Sequence, residues 1–369
     1  MRLFLSFAVC LLVLLPARAQ QPTCTAPAPV CDARAAVFPI SAFDPVGSAV
    51  RIGEEMLVSA RHVIADSDEV VVFLPNGTRT RAIPVPSAYP GDIVLLHAYD
   101  LPPGPVLEVS EIDPDATLFT IGVDVSFGTV RAYDPGTVTL LPAPGKPLAR
   151  LHHSAYSQPG NSGGALVDDA GRLMAIIASG GEGRDEAIPA TTIATLREMS
   201  GQDFVDQDAE IDAAIRICTL TLDAFRDPAA AMTPQDAKAV ATACRRTGNR
   251  QYFDNAAQAL GTRGLFDESI ALFEASLEQD PHTLNGRLGL ATTYHIAARY
   301  EDELPHLRFL LEHIPEDPQV VRLAIQAGTW AGDTEMARAA LETLRRTNPN
   351  LVSMAERFIE APPPRPEPR

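Results

Sequence analysis

The sequence predicts two domains of opposite class, an all-β barrel domain over residues 37–200 and an all-α array of helical repeats over 201–360. Two observations carry this reading. From Val37 to about Ile188, short apolar runs are cut by turn residues, as where Val70-Val71-Val72-Phe73-Leu74 meets Pro75-Asn76-Gly77. Many short strands so punctuated argue a closed all-β fold. After Gly201 the texture becomes alanine-rich, and Pro281, Pro315 and Pro349 recur at a 34-residue interval.

Each segment has its own warrant. Residues 1–19 read as a secretory leader, with Arg2 before the apolar stretch Leu3–Leu15 and a small-x-small cleavage site at Ala17-Arg18-Ala19. That stretch is too short to span a bilayer comfortably, and Pro16 stops it from lengthening. Cleavage then leaves no stable membrane anchor, and a periplasmic or secreted location follows. Residues 20–36 are rich in Pro and Ala and are expected to form a linker loop. A helix at about Thr191–Ser200 closes the barrel domain. Glu210–Phe225 is expected as the next helix, and Thr233-Pro234-Gln235-Asp236 opens another with a cap and a first-turn proline. Within the repeats, Gly264, Ala298 and Gly332 are small at one offset. Phe273, Leu307 and Leu341 are apolar at a second, and Ala256, Leu290 and Ala324 pack the first helix at a third. Residues 361–369 are expected to be a disordered Pro-rich tail.

Composition narrows the function. The formal net charge is −17, with 30 Lys+Arg against 47 Asp+Glu, a field that repels nucleic acid and anionic lipid. Of five cysteines Cys10 leaves with the leader, and an even count in an exported chain reads as disulfides. Nearest-neighbour pairing gives Cys24–Cys31 and Cys218–Cys244. Cys218, placed near the start of one helix, and Cys244, near the end of the next, would meet across an antiparallel pair. No Cys-x-x-Cys or His-x-x-x-His spacing occurs, so no metal site is expected.

Chemistry concentrates in three strings. Gly160-Asn161-Ser162-Gly163-Gly164 offers a serine in a glycine-framed turn, where the amides of Gly160 and Ser162 can converge on a developing oxyanion. A serine hydroxyl is a weak nucleophile until an imidazole takes its proton and a carboxylate orients that imidazole. His62 stands at the end of the apolar run beginning at Met56, and Asp92 opens Ile93-Val94-Leu95-Leu96. His97, His152 and His153 lie within apolar or strand-like runs and read as structural.

The order His62, Asp92, Ser162 is that of the chymotrypsin architecture. Ser59-Ala60-Arg61-His62-Val63-Ile64 resembles the histidine motif of trypsin-like serine proteases, and Asp92-Ile93-Val94-Leu95-Leu96 resembles their aspartate motif. Gly160 to Val167 resembles the serine motif of the HtrA branch. Phe127-Gly128-Thr129-Val130 and Ala187-Ile188-Pro189 resemble further strands of that branch. The resemblance covers about residues 37–200 and implies a double β-barrel. It also implies His62 as general base then acid, Asp92 as its orienting group, Ser162 as nucleophile, and the Gly160 and Ser162 amides as the oxyanion hole. No cofactor is implied. Asn161 stands where pancreatic-type relatives carry an Asp, so activation by N-terminal cleavage is not expected. Ala178 falls where relatives often place a hydroxyl near the aspartate, so Asp92 is expected to be less well held.

Under the same resemblance Tyr156 and Ser157 form the base of the specificity pocket, and Ile177 and Gly180 line its wall. No carboxylate occurs in either stretch, so an apolar residue before the scissile bond is expected. Ala257-Gln258-Ala259-Leu260-Gly261 and the residues after it, with the 34-residue period, resemble tetratricopeptide repeats, which implies an all-α solenoid able to bind a protein partner or the substrate. The expectation is an exported serine endopeptidase acting on proteins or peptides. The alternative is a catalytically silent adaptor working through its repeats.

Overall fold

The computed structural model describes residues 24–180, 184–227 and 231–367; the expected leader lies outside them. Residues 24–36 are not the loop expected of them. They form the helix α1 (Ala28–Ala33) and a 3-10 turn, Arg34–Ala36, with the Cys24–Cys31 disulfide across its start. Proline is tolerated in a first helical turn, and burial of Val30 and Ala36 in the barrel core anchors the segment.

Six strands close the first barrel: β1 (Val37–Ser41), β2 (Gly47–Arg51), β3 (Met56–Ser59), β4 (Val70–Phe73), β5 (Arg79–Pro84) and β6 (Val94–Ala98), in the order β1-β2-β3-β6-β5-β4. A one-turn helix, α2 (Arg61–Ile64), follows β3. The second barrel uses β7 (Thr117–Asp124), β8 (Thr129–Ala132), β9 (Gly136–Leu140), β10 (Leu151–His153), β11 (Ala165–Val167), β12 (Leu173–Ser179) and β13 (Asp185–Pro189). It runs β11-β12-β13-β10-β9-β7 and closes through β11–β7 pairing, with β8 a hairpin arm on β7. Val58, Ile93 and Leu95 of one barrel and Ile121, Val167 and Ile176 of the other share one core, so the barrels pack as a unit. The helix α3 (Thr192–Glu198) ends this domain.

Nine helices follow among the described residues: α4 (Val205–Asp223), α5 (Pro234–Arg245), α6 (Arg250–Gly261), α7 (Phe266–Gln279), α8 (Leu284–Ile296), α9 (Tyr300–His313), α10 (Pro318–Ala331), α11 (Thr334–Thr347) and α12 (Val352–Glu360). The starts of α6, α8 and α10 keep the 34-residue interval, as do those of α7, α9 and α11. The three small residues have a conformational cause: Gly264, Ala298 and Gly332 all sit at positive φ (77°, 56° and 81°) where the first helix of each pair turns into the second. Phe273, Leu307 and Leu341 are buried, as are Ala256, Leu290 and Ala324. The result is an α-solenoid.

Two expectations are corrected. The helix α4 begins at Val205 rather than Glu210, with Asp206 and Asp208 in a first turn that favours negative charge. Cys218 therefore lies in the second half of α4; it still bonds Cys244, with Cα atoms 4.5 Å apart. The tail is not free over residues 361–367. Trp330 Nε1 donates to the Pro363 carbonyl at 3.2 Å, and Arg365 grips Glu301 through two 2.6 Å hydrogen bonds while lying over Tyr300.

Candidate active site

The turn from β3 into α2 presents His62, and the approach to β6 presents Asp92. The Arg61 amide donates to the Asp92 carbonyl at 3.2 Å, tying the two segments together. The His62 Nδ1–H donates to Asp92 Oδ2 at 2.8 Å, and the His62 backbone amide donates to Oδ1 at 2.9 Å. The Asp92 side chain is 1 % exposed. Burial pushes its carboxyl up, but the His62 charge, hydrogen bonds from His62 and the Arg150 guanidinium together bring it down to about 2. Burial pushes His62 down; Asp92 and Asp44 outweigh it, Arg150 opposing, and the imidazole ends above its ordinary value.

Ser162 lies in the loop between β10 and β11, and the packing explains the glycines beside it. Gly163 has φ +82°, and a Cβ there would stand 2.2 Å from the Ser48 carbonyl oxygen. Gly160 has φ +94°, and its carbonyl accepts from Ser48 Oγ at 2.7 Å. The fully buried Asn161 fastens the loop at both ends: Oδ1 accepts from the Gln158 amide at 2.8 Å, and Nδ2 donates to the Val123 carbonyl at 3.0 Å. Among the described residues, the amides of Gly160 and Ser162 donate to no protein acceptor, whereas those of Asn161, Gly163 and Gly164 all do. The Ser162 hydroxyl donates to the Ala178 carbonyl at 3.3 Å, and no hydrogen bond joins it to His62.

The expectation that Asp92 is loosely held is overturned. Ala178 offers it no hydroxyl, yet two donors absent from the sequence reading complete its shell. Arg150 Nη2 reaches Oδ2 at 3.2 Å, and Asn249 Nδ2, from the start of the solenoid repeats, reaches Oδ1 at 3.2 Å. A charged residue inside Leu148-Ala149-Arg150-Leu151 was a signal that a buried partner existed. Nothing local marked Asn249.

The expected specificity residues do not gather as an enclosed apolar pocket. Tyr156 is 52 % exposed, its ring 5.7 Å from that of Tyr133, so it lies at the surface rather than at a pocket floor. Ile177 is buried in the second barrel's core, and Ser157 Oγ meets Thr120 Oγ1 at 3.2 Å. Gly180 lies against a carboxylate: a Cβ on it would stand 2.3 Å from Asp185 Oδ1. Asp185 is outside both stretches, 3 % exposed, and its Oδ1 has no hydrogen-bond partner among the described residues. Burial first, then the Glu186 charge, pushes it up to about 7, with Ser157 and Arg184 opposing. Neither stretch carries a carboxylate, as the sequence shows, but Asp185 brings one against Gly180 from outside them.

His152 and His153 are fully buried on β10. No group of three or more His, Cys, Asp or Glu among the described residues is placed to hold a metal ion.

Residues 47–176 match the trypsin-like peptidase domain. The search of curated proteins returns no match. Among solved structures the chain is similar to the Rv3671c protease of M. tuberculosis in its inactive form, at 19 % identity over 48 % of this chain and 98 % of that one, TM-score 0.41. It is similar to the HtrA-type protease AlgW with a tripeptide, at 29 % identity over 46 % of this chain and 61 % of that one, TM-score 0.41. It is also similar to the serine endoprotease from Yersinia pestis, at 24 % identity over 48 % and 65 %, TM-score 0.39. The chain thus spans less than two thirds of the last two.

Proposed function

We propose that this chain is an exported serine endopeptidase working through His62, Asp92 and Ser162. The observation that carries it is the buried His62–Asp92 pair together with a glycine-framed serine flanked by two undonated amides. The match of residues 47–176 to the trypsin-like peptidase domain supports the same chemistry.

In this reading Ser162 Oγ turns from the Ala178 carbonyl toward His62 Nε2, a single χ1 rotation. The oxygen attacks the substrate carbonyl carbon while His62 takes its proton. The carbonyl oxygen gathers negative charge and is received by the Gly160 and Ser162 amides. His62 then gives the proton to the leaving amine, and the peptide's acyl half stays on Ser162. Water, deprotonated by His62, releases it. Asp92 fixes the imidazole tautomer with Nδ1–H facing the carboxylate, and stabilises the imidazolium.

The two disulfides and the leader-like residues 1–19 support export into an oxidising compartment. The solenoid's 34-residue period supports the tetratricopeptide reading, and its groove supports a substrate- or partner-binding role. A cavity of about 470 Å³ runs from Ser179 and Gly180 along Gln251, Asn255, Gln258, Asn285 and Gln319. Amide side chains both donate and accept, which suits a peptide backbone.

One observation favours the silent-adaptor alternative: Ser162 is bonded to Ala178, not to His62. A fluorophosphonate probe separates the two. The wild type is expected to be labelled covalently and Ser162→Ala not; equal labelling would place the nucleophile elsewhere, and none would favour the adaptor. His62→Ala is expected to cut peptide hydrolysis by about 10⁴-fold.

A further inference from the structure

A carboxylate offers about four lone-pair sites, and the four donors on Asp92 come from three places. His62 supplies two, Arg150 one, and Asn249 the fourth, across a sequence separation of 157. Asn249 caps α6, the first helix of the repeats. Its Oδ1 accepts from the Gln251 amide at 2.9 Å, so the cap itself decides which way the amide faces and leaves Nδ2 aimed at Asp92. The residue is 3 % exposed, and its own amide donates to Thr247 Oγ1 at 3.1 Å. The same helix also braces the third donor: Gln251 Oε1 accepts from Arg150 Nη1 at 3.2 Å. The solenoid thus supplies a donor to Asp92 directly and braces another.

We propose that Asn249 is a positioning residue of the catalytic centre, so that the barrel's catalytic acid is fully held only while the solenoid is docked against it. This rests on the triad reading above. The donor steadies the Asp92 carboxylate that orients His62. Without it the carboxylate turns more freely and draws the imidazole proton more strongly, so His62 is a free base only at higher pH. Among the described residues, the other charged and titratable groups acting on the pair are Asp44 after β1, Arg150 before β10 and Tyr252 on α6, while Arg61 on α2 is turned to Asp208 and Asp212. All are unchanged in the variants below, so a shift reports residue 249.

The test is the second-order rate of fluorophosphonate acylation against pH in the full-length chain. Asn249→Asp keeps the capping oxygen but replaces the donor with an acceptor. Asn249→Ser keeps a good cap, adds no charge and is too short to reach Asp92. Both are expected to acylate about tenfold or more slowly at pH 7, the scale of one hydrogen bond to a charged group, with the rise in rate moved to higher pH. If Asn249→Asp fails to fold, Asn249→Ser alone decides. Rates within twofold of wild type with an unmoved pH midpoint would overturn the proposal. A wild type that does not react, or reacts no better than Ser162→Ala, would instead overturn the triad reading.

Discussion

Asn161 holds the serine loop with a neutral amide, and the loop uses both ends of it. In Asn161→Asp the Val123 carbonyl would face a carboxylate oxygen instead of a donor. The substitution is expected to cost about 1–3 kcal/mol at neutral pH, the usual penalty for a buried group left without its partner. Protonating the new carboxyl restores a donor, so urea unfolding should show the deficit shrinking as pH falls; a pH-independent deficit would contradict this. Asp185 follows the same sign. Its folded pKa, about 7, lies above its ordinary value, so its contribution is fully present below pH ~4 and is lost as pH rises to about 7. Asp185→Asn should flatten that slope in thermal unfolding and gain most above pH 7. The same variant should alter which residue precedes the cut bond in a mass-spectrometric cleavage profile; an unchanged profile would remove Asp185 from the specificity region. The closeness of His62 and Asp92 was legible only through the resemblance of their two short strings to the motifs of trypsin-like serine proteases. Asp185 and Asn249 were not legible, because what makes them matter is contact with groups distant in sequence.

At the scale of elements, periodicity was the legible part. Small residues every 34 positions mark left-handed turns, and a short-range pattern suffices to record them. The segment before β1 was missed for the converse reason: Pro27 and Pro29 read as loop, and only burial of Val30 and Ala36 against the barrels makes a helix worthwhile. The polar stripe on α6 lends itself to a direct test. Asn255 and Gln258 line the cavity that leads to Gly180. The double variant Asn255→Ala with Gln258→Ala is expected to raise KM for an unfolded protein substrate severalfold while fluorophosphonate labelling stays at the wild-type rate. An unchanged KM would take substrate binding away from this groove.

Across the whole molecule, barrel and solenoid meet through buried charge. Glu186 on β13 lies between Arg150 and Arg250, and His152 stands between Glu186 and Asp280 at 3.9 and 3.8 Å. Burial pushes Glu186 up, but Arg250, His152 and Arg150 hold it well below the usual carboxylate range. Its contribution is complete above pH ~4 and is lost as pH falls below that. Glu186→Gln leaves two buried guanidinium groups short of a counter-charge and is expected to cost about 3–5 kcal/mol, read as a lower urea midpoint; a loss under about 1 kcal/mol would mean the network is slack. Beyond the charge of Arg150 inside an apolar run, this interface was not legible, since it joins residues whose partners lie in the other domain. The cap at Asn249 also has a meaning in time. A chain emerging amino end first completes both barrels before residue 249 appears, a delay of roughly 50 residues, or about 2–10 s at the pace of synthesis. Throughout that interval the newborn barrel lacks the last ligand of its aspartate, and on the reading proposed above it would be a poor enzyme while unfolded neighbours are closest.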